Sequence, residues 1–115
     1  MRELQERVFS FSMYALEIAK EYKGKEPYGV IDLFLSEVFK LGAHTSSMST
    51  RYLEHEYVEA IKRAQRTYYF LKLIQQGNVL NGNFEFFIKI NIEIIRILEA
   101  EKASYAKHIE LKRNS

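Results

Sequence analysis

Three histidines, His44, His55 and His108, are the side chains of this sequence with the chemistry for metal binding or proton transfer. Di-iron helical bundles aim their ligands inward with a Glu three residues before a His, and none of the three has that Glu. His55 and Glu59 lie four residues apart, which allows a weak surface pair, and His44 is expected to form a local hydrogen bond. Because the chain has no Cys, thiolate-ligated zinc and iron–sulfur sites are excluded. We therefore predict no metal site and no cofactor.

Candidate nucleophiles and phosphate-binding loops are equally sparse. The serines at positions 46, 47 and 49 have no base at a meaningful spacing, and they are typical of loop and cap residues. The five glycines are isolated, so neither a dinucleotide fingerprint nor a phosphate-binding loop is present. The sequence thus predicts a non-enzymatic protein, with no catalytic residue and no small-molecule substrate.

Basic side chains along the third apolar segment offer binding chemistry instead. A nucleic-acid surface needs several cations aimed at phosphates, and an exposed aromatic ring can stack on an unpaired base. The alternative is a solvated face whose charge is balanced by Glu54, Glu56 and Glu59. Repetition around a homo-oligomer would strengthen a weak patch through avidity. The candidate nucleic-acid-binding residues are Arg51, Lys62, Arg63, Arg66, Tyr69 and Lys72.

Four segments with helical periodicity must position these residues. We expect helices at about residues 3–23, 27–45, 51–76 and 84–106, within a single domain that spans residues 1–115. Helices of this length joined by short loops pack as antiparallel neighbours. The predicted fold is therefore an all-α, antiparallel, up-down-up-down four-helix bundle about 30 Å long.

The inner faces follow from steps of three and four residues. The first helix is predicted to bury Leu4, Val8, Phe11, Ala15, Ile18 and Tyr22. The second is predicted to bury Ile31, Phe34 or Leu35, Val38, and Leu41 or Gly42. The third is predicted to bury Tyr57, Ala60, Ile61, Ala64, Tyr68, Leu71 and Gln75.

The breaks between helices carry turn and cap chemistry. Residues 23–25 end the first helix, and Pro27 suits the first turn of the second. The polar cluster at residues 45–50 ends the second helix and is expected to cap the third. Gly77 is predicted to occupy the C′ position of the third helix, and Asn83 to cap the fourth. The tail after about Tyr105 is expected to fray.

The stretch from Phe84 to Leu98 is too apolar for a helix with one buried side. Its four charges fall within about 80° of arc, whereas its apolar residues spread over roughly 240°. A bundle helix in a monomer normally hides an apolar stripe little more than about 100° wide. The width therefore predicts a further partner, most simply a second copy of the chain. The candidate oligomer-interface residues are Phe86, Ile90, Asn91, Ile94, Ile97 and Leu98.

Asn91 lies near the middle of this apolar arc. An unpaired amide in such a place costs roughly 1–3 kcal/mol. Asn91 either fixes register and oligomer state by pairing across a symmetry axis, or bonds a backbone carbonyl within its own bundle. The sequence leaves both interpretations open.

Composition and net charge indicate where in the cell the protein is expected to reside. The net charge is +2, which permits non-specific attraction to nucleic acid without requiring it. Charged and polar residues follow Met1, and no run of about 18 apolar residues occurs, so we expect neither a signal peptide nor a membrane span. Together with the absence of Cys, this predicts a cytoplasmic protein.

Two segments of the chain resemble a known family. Leu41-Gly42-Ala43-His44, followed by Ser47-Met48, is similar to that family's Ile/Val-Gly-Ala-Asn…Glu-Ala segment. Residues 60–74 are similar to its Ala-Leu-Lys-Glu…Glu-Thr-x-Tyr-Trp-Leu-x-Leu-Leu helix. The family is the bacterial four-helix-bundle family encoded in intervening sequences of 23S ribosomal RNA genes, and the accessory protein of diversity-generating retroelements is similar in fold. The resemblance covers mainly residues 33–75.

The chain departs from this family at several positions. His44 replaces the usual Asn, Ser47 the usual Glu and Phe70 the usual Trp, and residues 32–36 replace the usual Gln-Leu-x-Arg-Ser. The resemblance implies a homo-oligomer, often a barrel-like pentamer, for which no enzymatic activity is established. The retroelement protein further implies RNA and a reverse transcriptase as partners.

Two hypotheses of function follow. The first is a homo-oligomeric helical-bundle scaffold that binds RNA or assists a reverse transcriptase. The alternative is a protein–protein interaction module that does not bind nucleic acid.

Overall fold

The computed structural model describes residues 2–22, 25, 29–79 and 84–114. Its four α-helices are α1 (Arg2–Tyr22), α2 (Val30–Ser46), α3 (Glu54–Gln76) and α4 (Glu85–Arg113). They pack against one another, and the described residues include no strand, which confirms the predicted all-α four-helix bundle. Within the same residues, no helix has the length and apolar character needed to cross a bilayer.

Each helix packs against two others, because α1 and α3 both contact α2 and α4. Gln5, near the start of α1, donates a hydrogen bond of 3.0 Å to the carbonyl of Thr45, near the end of α2. Lys102, late in α4, lies 3.9 Å from the carboxylate of Glu54, which begins α3. Since α2 and α3 are also joined by a short connection, consecutive helices run antiparallel.

The inner faces predicted for α1 and α2 form the core, except that Tyr22 at the end of α1 is only half-buried. The buried residues are Leu4, Val8, Phe11, Ala15 and Ile18 in α1, and Ile31, Phe34, Leu35, Val38 and Leu41 in α2. Gly42 of α2 lies against α1, because a Cβ at this position would come within 2.9 Å of Ser12 Oγ. Glycine therefore permits the close approach of these two helices.

Helix α3 buries a slightly different face from the predicted one. Thr67 and Ile74 are buried, whereas Ile61, Tyr68 and Gln75, which we expected inside, are only half-buried. The Thr67 hydroxyl donates a 2.9 Å hydrogen bond to the carbonyl one turn earlier. This bond satisfies the hydroxyl within the helix, so a polar residue is accommodated in the core.

The left-handed residue that follows α3 is Asn78, one position later than the predicted Gly77. Asn78 has a φ of 49° and occupies the left-handed C′ position, whereas Gly77 has a φ of −81°. The N–H of Asn78 donates to Gln75 O at 3.4 Å, and the N–H of Val79 donates to Ile74 O at 3.2 Å. These two bonds form a Schellman motif, so the assignment of Gly77 to C′ is wrong.

The polar cluster after α2 ends that helix but does not cap the next one. The hydroxyls of Thr45, Ser46 and Ser47 donate to carbonyls of α2 itself. Helix α3 begins at Glu54, and its N-cap residue Leu53 makes no side-chain cap hydrogen bond. The prediction that the cluster caps α3 is therefore wrong. The predictions at residues 23–24, Pro27 and Asn83 lie outside the described residues.

Helix α4 is longer than expected. It continues to Arg113, so the prediction of a frayed tail after Tyr105 is wrong. No Gly or Pro occurs between residues 85 and 113, and the Ala, Glu and Lys residues in this range favour helix. The molecule measures 58 × 23 × 19 Å, so the end of α4 extends beyond a bundle of about 30 Å.

The wide apolar arc of α4 is covered by two neighbouring helices. On one flank, Phe87 packs against Phe11 of α1, with ring centroids 6.1 Å apart. On the other flank, Ile88 packs against the core, and Ile92 lines the groove between α4 and α3. Among the apolar residues from 84 to 98, only Phe86 is exposed, at 49%, and the others are buried or half-buried. Neighbouring helices of the same chain therefore account for most of the width of the arc, and the second copy stays a prediction.

Candidate nucleic-acid interface

The outer face of α3 carries three of the candidate residues on successive turns. Lys62, Arg66 and Tyr69 have i, i+4, i+7 spacing, which places them on one stripe that we call the α3 outer face. All three are exposed, and Tyr69 retains 60% of its accessible surface. They line a shallow groove with Phe70 and, from α2, Glu37. Two cations and an aromatic ring therefore converge on one surface.

The cations of this stripe are not neutralised by nearby carboxylates. Across the ranges that the structure describes, no carboxylate oxygen lies within 4.0 Å of the Lys62 ammonium or the Arg66 guanidinium. Glu37 is the acidic side chain that lines the same groove, and its Oε2 atom is buried. The groove therefore carries two cations and one carboxylate, a formal net charge of +1, which suits an anionic ligand.

The structure separates the other three candidate residues from this stripe. The Nε of Arg63 lies 3.2 Å from Glu59 Oε1, and the Arg63 side chain is only 26% exposed. Lys72 lines a different groove, between α3 and α4, together with Glu85 and Glu93. Arg51 is exposed in the connection that precedes α3. Arg63, Lys72 and Arg51 therefore do not share a surface with Lys62, Arg66 and Tyr69.

The histidines hold structural or exposed positions. His44 Nε2 donates a 2.8 Å hydrogen bond to the carbonyl of Glu56, so it ties the end of α2 to the first turn of α3. The expected hydrogen bond of His44 exists, although its partner lies on the next helix. His55 is exposed, and Glu59 pairs with Arg63. Over the described part of the chain, no group of three or more His, Asp or Glu side chains is placed to hold a metal ion.

A cluster of three tyrosines closes one end of the bundle, and sequence reasoning missed it. The rings of Tyr52 and Tyr105 stack with centroids 5.2 Å apart, and both lie against Tyr57. The Tyr57 hydroxyl donates a 2.8 Å hydrogen bond to Glu101 Oε1. Burial, together with this hydrogen bond, raises the pKa of Tyr57 well above its usual value. The rings fill the space between them, so we assign the cluster a packing role.

Half of the predicted oligomer-interface residues lie inside their own chain. Asn91, Ile94 and Leu98 have no exposed surface, so a second copy cannot reach them while the bundle is folded. Their assignment to an interface is wrong, because α4 turns this side towards the core. Ile90 and Ile97 are half-buried.

The remaining interface candidate, Phe86, is exposed but already has a partner. Its ring makes an edge contact with Tyr14 of α1, with centroids 5.1 Å apart. Of the six candidates, Phe86 is therefore the one that presents a largely exposed side chain to a second copy.

Asn91 bonds within its own bundle, which was the second of the two interpretations left open by the sequence. Its Nδ2 donates a 3.1 Å hydrogen bond to the carbonyl of Ala64 in α3. Its Oδ1 is buried and has no hydrogen-bond partner among the residues that the structure describes. The side chain of Asn91 thus links α4 to α3 through its Nδ2 atom. Its Oδ1 atom is removed from water without gaining a hydrogen bond within the described residues.

Replacing Asn91 with Leu is expected to preserve the fold and to raise the free energy of unfolding by about 1 kcal/mol. The substitution removes a desolvated acceptor, whose cost is roughly 1–3 kcal/mol, and loses one hydrogen bond worth about 1 kcal/mol. Urea denaturation followed by circular dichroism measures the change. A loss of 2 kcal/mol or more would show that the Asn91–Ala64 bond outweighs the unsatisfied oxygen.

An exposed apolar stripe on α1 is the feature that sequence reasoning overlooked. Phe9, Met13 and Leu16 have i, i+4, i+7 spacing opposite the buried face, and they are 67%, 45% and 38% exposed. We call them the α1 outer stripe. Phe39 of α2, which is 41% exposed, lines a groove together with Phe9. The spacing of the three α1 residues is the signal that could have revealed this stripe.

Comparison with known proteins identifies no relative of this chain. No protein-family model, no curated protein and no solved structure matches the chain. The resemblance to the family encoded in ribosomal RNA intervening sequences therefore stays a prediction from residues 33–75.

Proposed function

We propose that this protein is a non-enzymatic, homo-oligomeric helical bundle whose α3 outer face binds single-stranded RNA. The observation that carries the proposal is the exposure of Lys62, Arg66 and Tyr69 on successive turns of one helix, with no carboxylate paired to either cation among the described residues. A regular helix holds these side chains at fixed spacing, because Cβ atoms four residues apart lie about 5–6 Å from each other.

The three side chains supply the two interactions that single strands use. Lys62 and Arg66 attract backbone phosphates and release the counterions condensed on them. The exposed ring of Tyr69 offers a face on which a base can stack, and every base has such a face. We therefore expect binding that depends strongly on salt and only weakly on base sequence.

The resemblance to the intervening-sequence family is a second argument for RNA binding. The α3 outer face lies within residues 33–75, the part of the chain that is similar to the intervening-sequence family. On that basis we propose a reverse transcriptase as the protein partner and the cytoplasm as the site of action. Five subunits is the number that the resemblance implies.

Binding of a fluorescein-labelled single-stranded RNA, followed by fluorescence anisotropy over a series of salt concentrations, tests the proposal. We expect the logarithm of the association constant to fall linearly with the logarithm of salt concentration, by about 0.7 for each neutralised phosphate. The absence of binding even at low salt would contradict an RNA-binding role.

Replacing Tyr69 with Ala is expected to weaken RNA binding by about 1–3 kcal/mol, because one stacked base loses its platform. Tyr69→Phe is the matched control, since it keeps the ring and is expected to bind like the unmodified protein. Anisotropy titrations of both variants measure the difference. Equal affinity of the Ala and Phe variants would remove stacking from the proposed binding mode. Because Tyr69 is 60% exposed, neither substitution is expected to disturb the fold.

A protein–protein interaction module without nucleic-acid binding is the second candidate function. The observation that favours it is the exposed apolar surface formed by the α1 outer stripe and Phe39. Scattered exposed apolar side chains are ordinary, but a contiguous row of them is typical of an interaction site. This candidate predicts a stably co-purifying protein and no salt-dependent binding of RNA.

A further inference from the structure

The groove beside the α3 outer face contains a carboxylate oxygen that has no hydrogen-bond donor. Oε2 of Glu37 is buried, and no N–H or O–H group of the residues that the structure describes donates to it. Glu37 belongs to α2 and lines the groove together with Lys62, Arg66 and Tyr69 of α3. A desolvated acceptor without a donor is unfavourable, so a ligand that supplies an N–H group gains from pairing with it.

The carboxylate of Glu37 is able to reach a ligand in the groove. The residue is only half-buried, and it forms part of the wall of the groove. The terminal torsion of a Glu side chain has a broad minimum, so rotation about it brings either oxygen to the groove. No cation of the described residues holds the carboxylate within 4.0 Å, neither Lys62 and Arg66 across the groove nor Lys40 three residues later on α2.

The neighbouring charges leave the two cations of the groove available as well. Glu59 lies one turn before Lys62, but it pairs with Arg63 at 3.2 Å. The groove itself carries Lys62, Arg66 and the Glu37 carboxylate, a formal net charge of +1. It therefore offers cations for a phosphate and, separately, an acceptor for an N–H donor.

An exposed amide completes the groove. Gln65 lines it and precedes Tyr69 by four residues, so its side chain lies one turn from the Tyr69 ring on the same side of α3. The volume of the groove is about 430 Å³. Clefts that bind small ligands measure about 300–1,000 Å³, so the groove has room for one nucleotide.

Guanine is the base whose hydrogen-bonding edge matches these groups. Its Watson–Crick edge presents the O6 acceptor, the N1–H donor and the N2 amine in a row, and a carboxylate accepts from two adjacent donors at once. Adenine and cytosine each present one amine beside an unprotonated ring nitrogen, which a carboxylate repels. Uracil presents one N–H group between two carbonyls. Guanine is therefore the common RNA base that supplies two adjacent donors.

We propose that this groove binds one guanine base of the RNA strand and that Glu37 is the residue that selects it. The base stacks on Tyr69, its N1–H group and N2 amine donate to the Glu37 carboxylate, and its O6 accepts from the Gln65 amide. Lys62 and Arg66 bind the phosphates that flank the nucleotide. The inference rests on the proposed RNA binding by the α3 outer face and adds the base that the face recognises. Because the preference applies to one position of the strand, the dependence on overall base sequence stays weak.

Anisotropy titrations with labelled oligouridines that differ at one central nucleotide test the proposal. The strand with a central guanosine is expected to bind about tenfold more tightly than the strand with a central adenosine, because adenine offers the carboxylate one donor in place of two. A central inosine lacks only the N2 amine, so it is expected to bind about threefold more weakly than guanosine.

Replacing Glu37 with Gln separates base selection from phosphate binding. The amide puts a donor in place of one acceptor oxygen, so the preference for guanosine over adenosine and inosine is expected to disappear. Binding of plain oligouridine is expected not to weaken, because a carboxylate beside two cations is neutralised. Glu99→Gln is the matched control, since Glu99 is exposed on α4, which lines no part of this groove, and this variant is expected to keep the preference.

Competition with free guanosine monophosphate shows whether guanine is bound within a strand or as a nucleotide. A base within a strand also brings its flanking phosphates to Lys62 and Arg66. The unlabelled oligonucleotide is therefore expected to displace the labelled one at a far lower concentration than guanosine monophosphate does. Equal competition by the two would overturn the strand as the ligand.

The titrations distinguish the failure of this inference from the failure of the proposed function. Equal affinity of the unmodified protein for the guanosine and adenosine strands would overturn the inference and leave RNA binding by the α3 outer face in place. A guanosine preference that survives in Glu37→Gln would overturn the role of Glu37. Absence of binding for every oligonucleotide at low salt would overturn the RNA-binding function itself.

Discussion

Reversing both cations of the α3 outer face, with Lys62→Glu and Arg66→Glu in one chain, is expected to lower the affinity for single-stranded RNA by roughly 100-fold at low salt. Two attractive contacts with phosphates are lost, and two carboxylates then repel the backbone from the same positions. The slope of the salt dependence is expected to become shallower by about 1 to 2. Anisotropy titrations at several salt concentrations give both quantities.

A control with the same change in net charge is available on a different surface. Lys72 and Lys89 line the groove between α3 and α4, away from the α3 outer face. Lys72→Glu combined with Lys89→Glu alters the net charge of the chain equally, and we expect it to weaken binding only slightly through the overall field. If both double variants lose affinity to the same extent, RNA binding would depend on net charge and not on the α3 outer face.

Replacing Tyr57 with Ala is expected to lower the free energy of unfolding by about 3–5 kcal/mol. Tyr57 is 1% exposed and its ring contacts both Tyr52 and Tyr105, so truncation leaves a cavity where α3 meets the late part of α4. Tyr57→Phe keeps the ring and loses only the 2.8 Å hydrogen bond to Glu101, so we expect a cost of about 1 kcal/mol.

Urea denaturation of these two variants separates ring packing from hydrogen bonding. The midpoint is expected to fall in both variants, and much further in the Ala variant. Similar losses for Ala and Phe would mean that the hydrogen bond to Glu101, and not the aromatic packing, holds this end of the bundle. The slope of the denaturation curve should stay constant, because the change is confined to one buried site.

The fold could be predicted from the sequence wherever one apolar stripe was the longest on its helix. In α1, the buried stripe runs from Leu4 to Ile18, whereas the α1 outer stripe is shorter. In α3, apolar residues occur on more than one side, so the sequence did not distinguish the buried Ile74 from the half-buried Ile61. Thr67 was missed because its hydroxyl is satisfied by a bond within the helix, which the periodicity of apolar residues does not indicate.

The interface predictions at Asn91, Ile94 and Leu98 failed because two neighbouring helices pack against α4. The apolar arc of α4 is wide because both α1 and α3 pack against it, so its flanks at Phe87 and Ile88 are each covered within the chain. Arc width alone does not reveal how many neighbours a helix has. The α1 outer stripe is narrower than the α4 arc, yet Phe9 is 67% exposed. Exposure depends on tertiary packing, which the sequence pattern does not specify.

The α3 outer face was partly predictable. The spacing of Lys62, Arg66 and Tyr69 places them on one side of a helix, which is visible in the sequence. Arg63 could have been set apart on the same grounds, because Glu59 precedes it by four residues and the two side chains pair. The tyrosine cluster could not be predicted, because Tyr52 and Tyr105 come from distant parts of the chain.

Nuclear magnetic resonance of the 15N-labelled protein, titrated with a single-stranded RNA oligonucleotide, tests the central claim most directly. The account predicts that the amide signals of Lys62, Arg66, Tyr69 and their neighbours on α3 shift progressively, while those of the α1 outer stripe stay in place. Added salt should reverse the shifts. Signals that do not move, or that move only on α1 and α2, would contradict an RNA-binding surface on the outer face of α3.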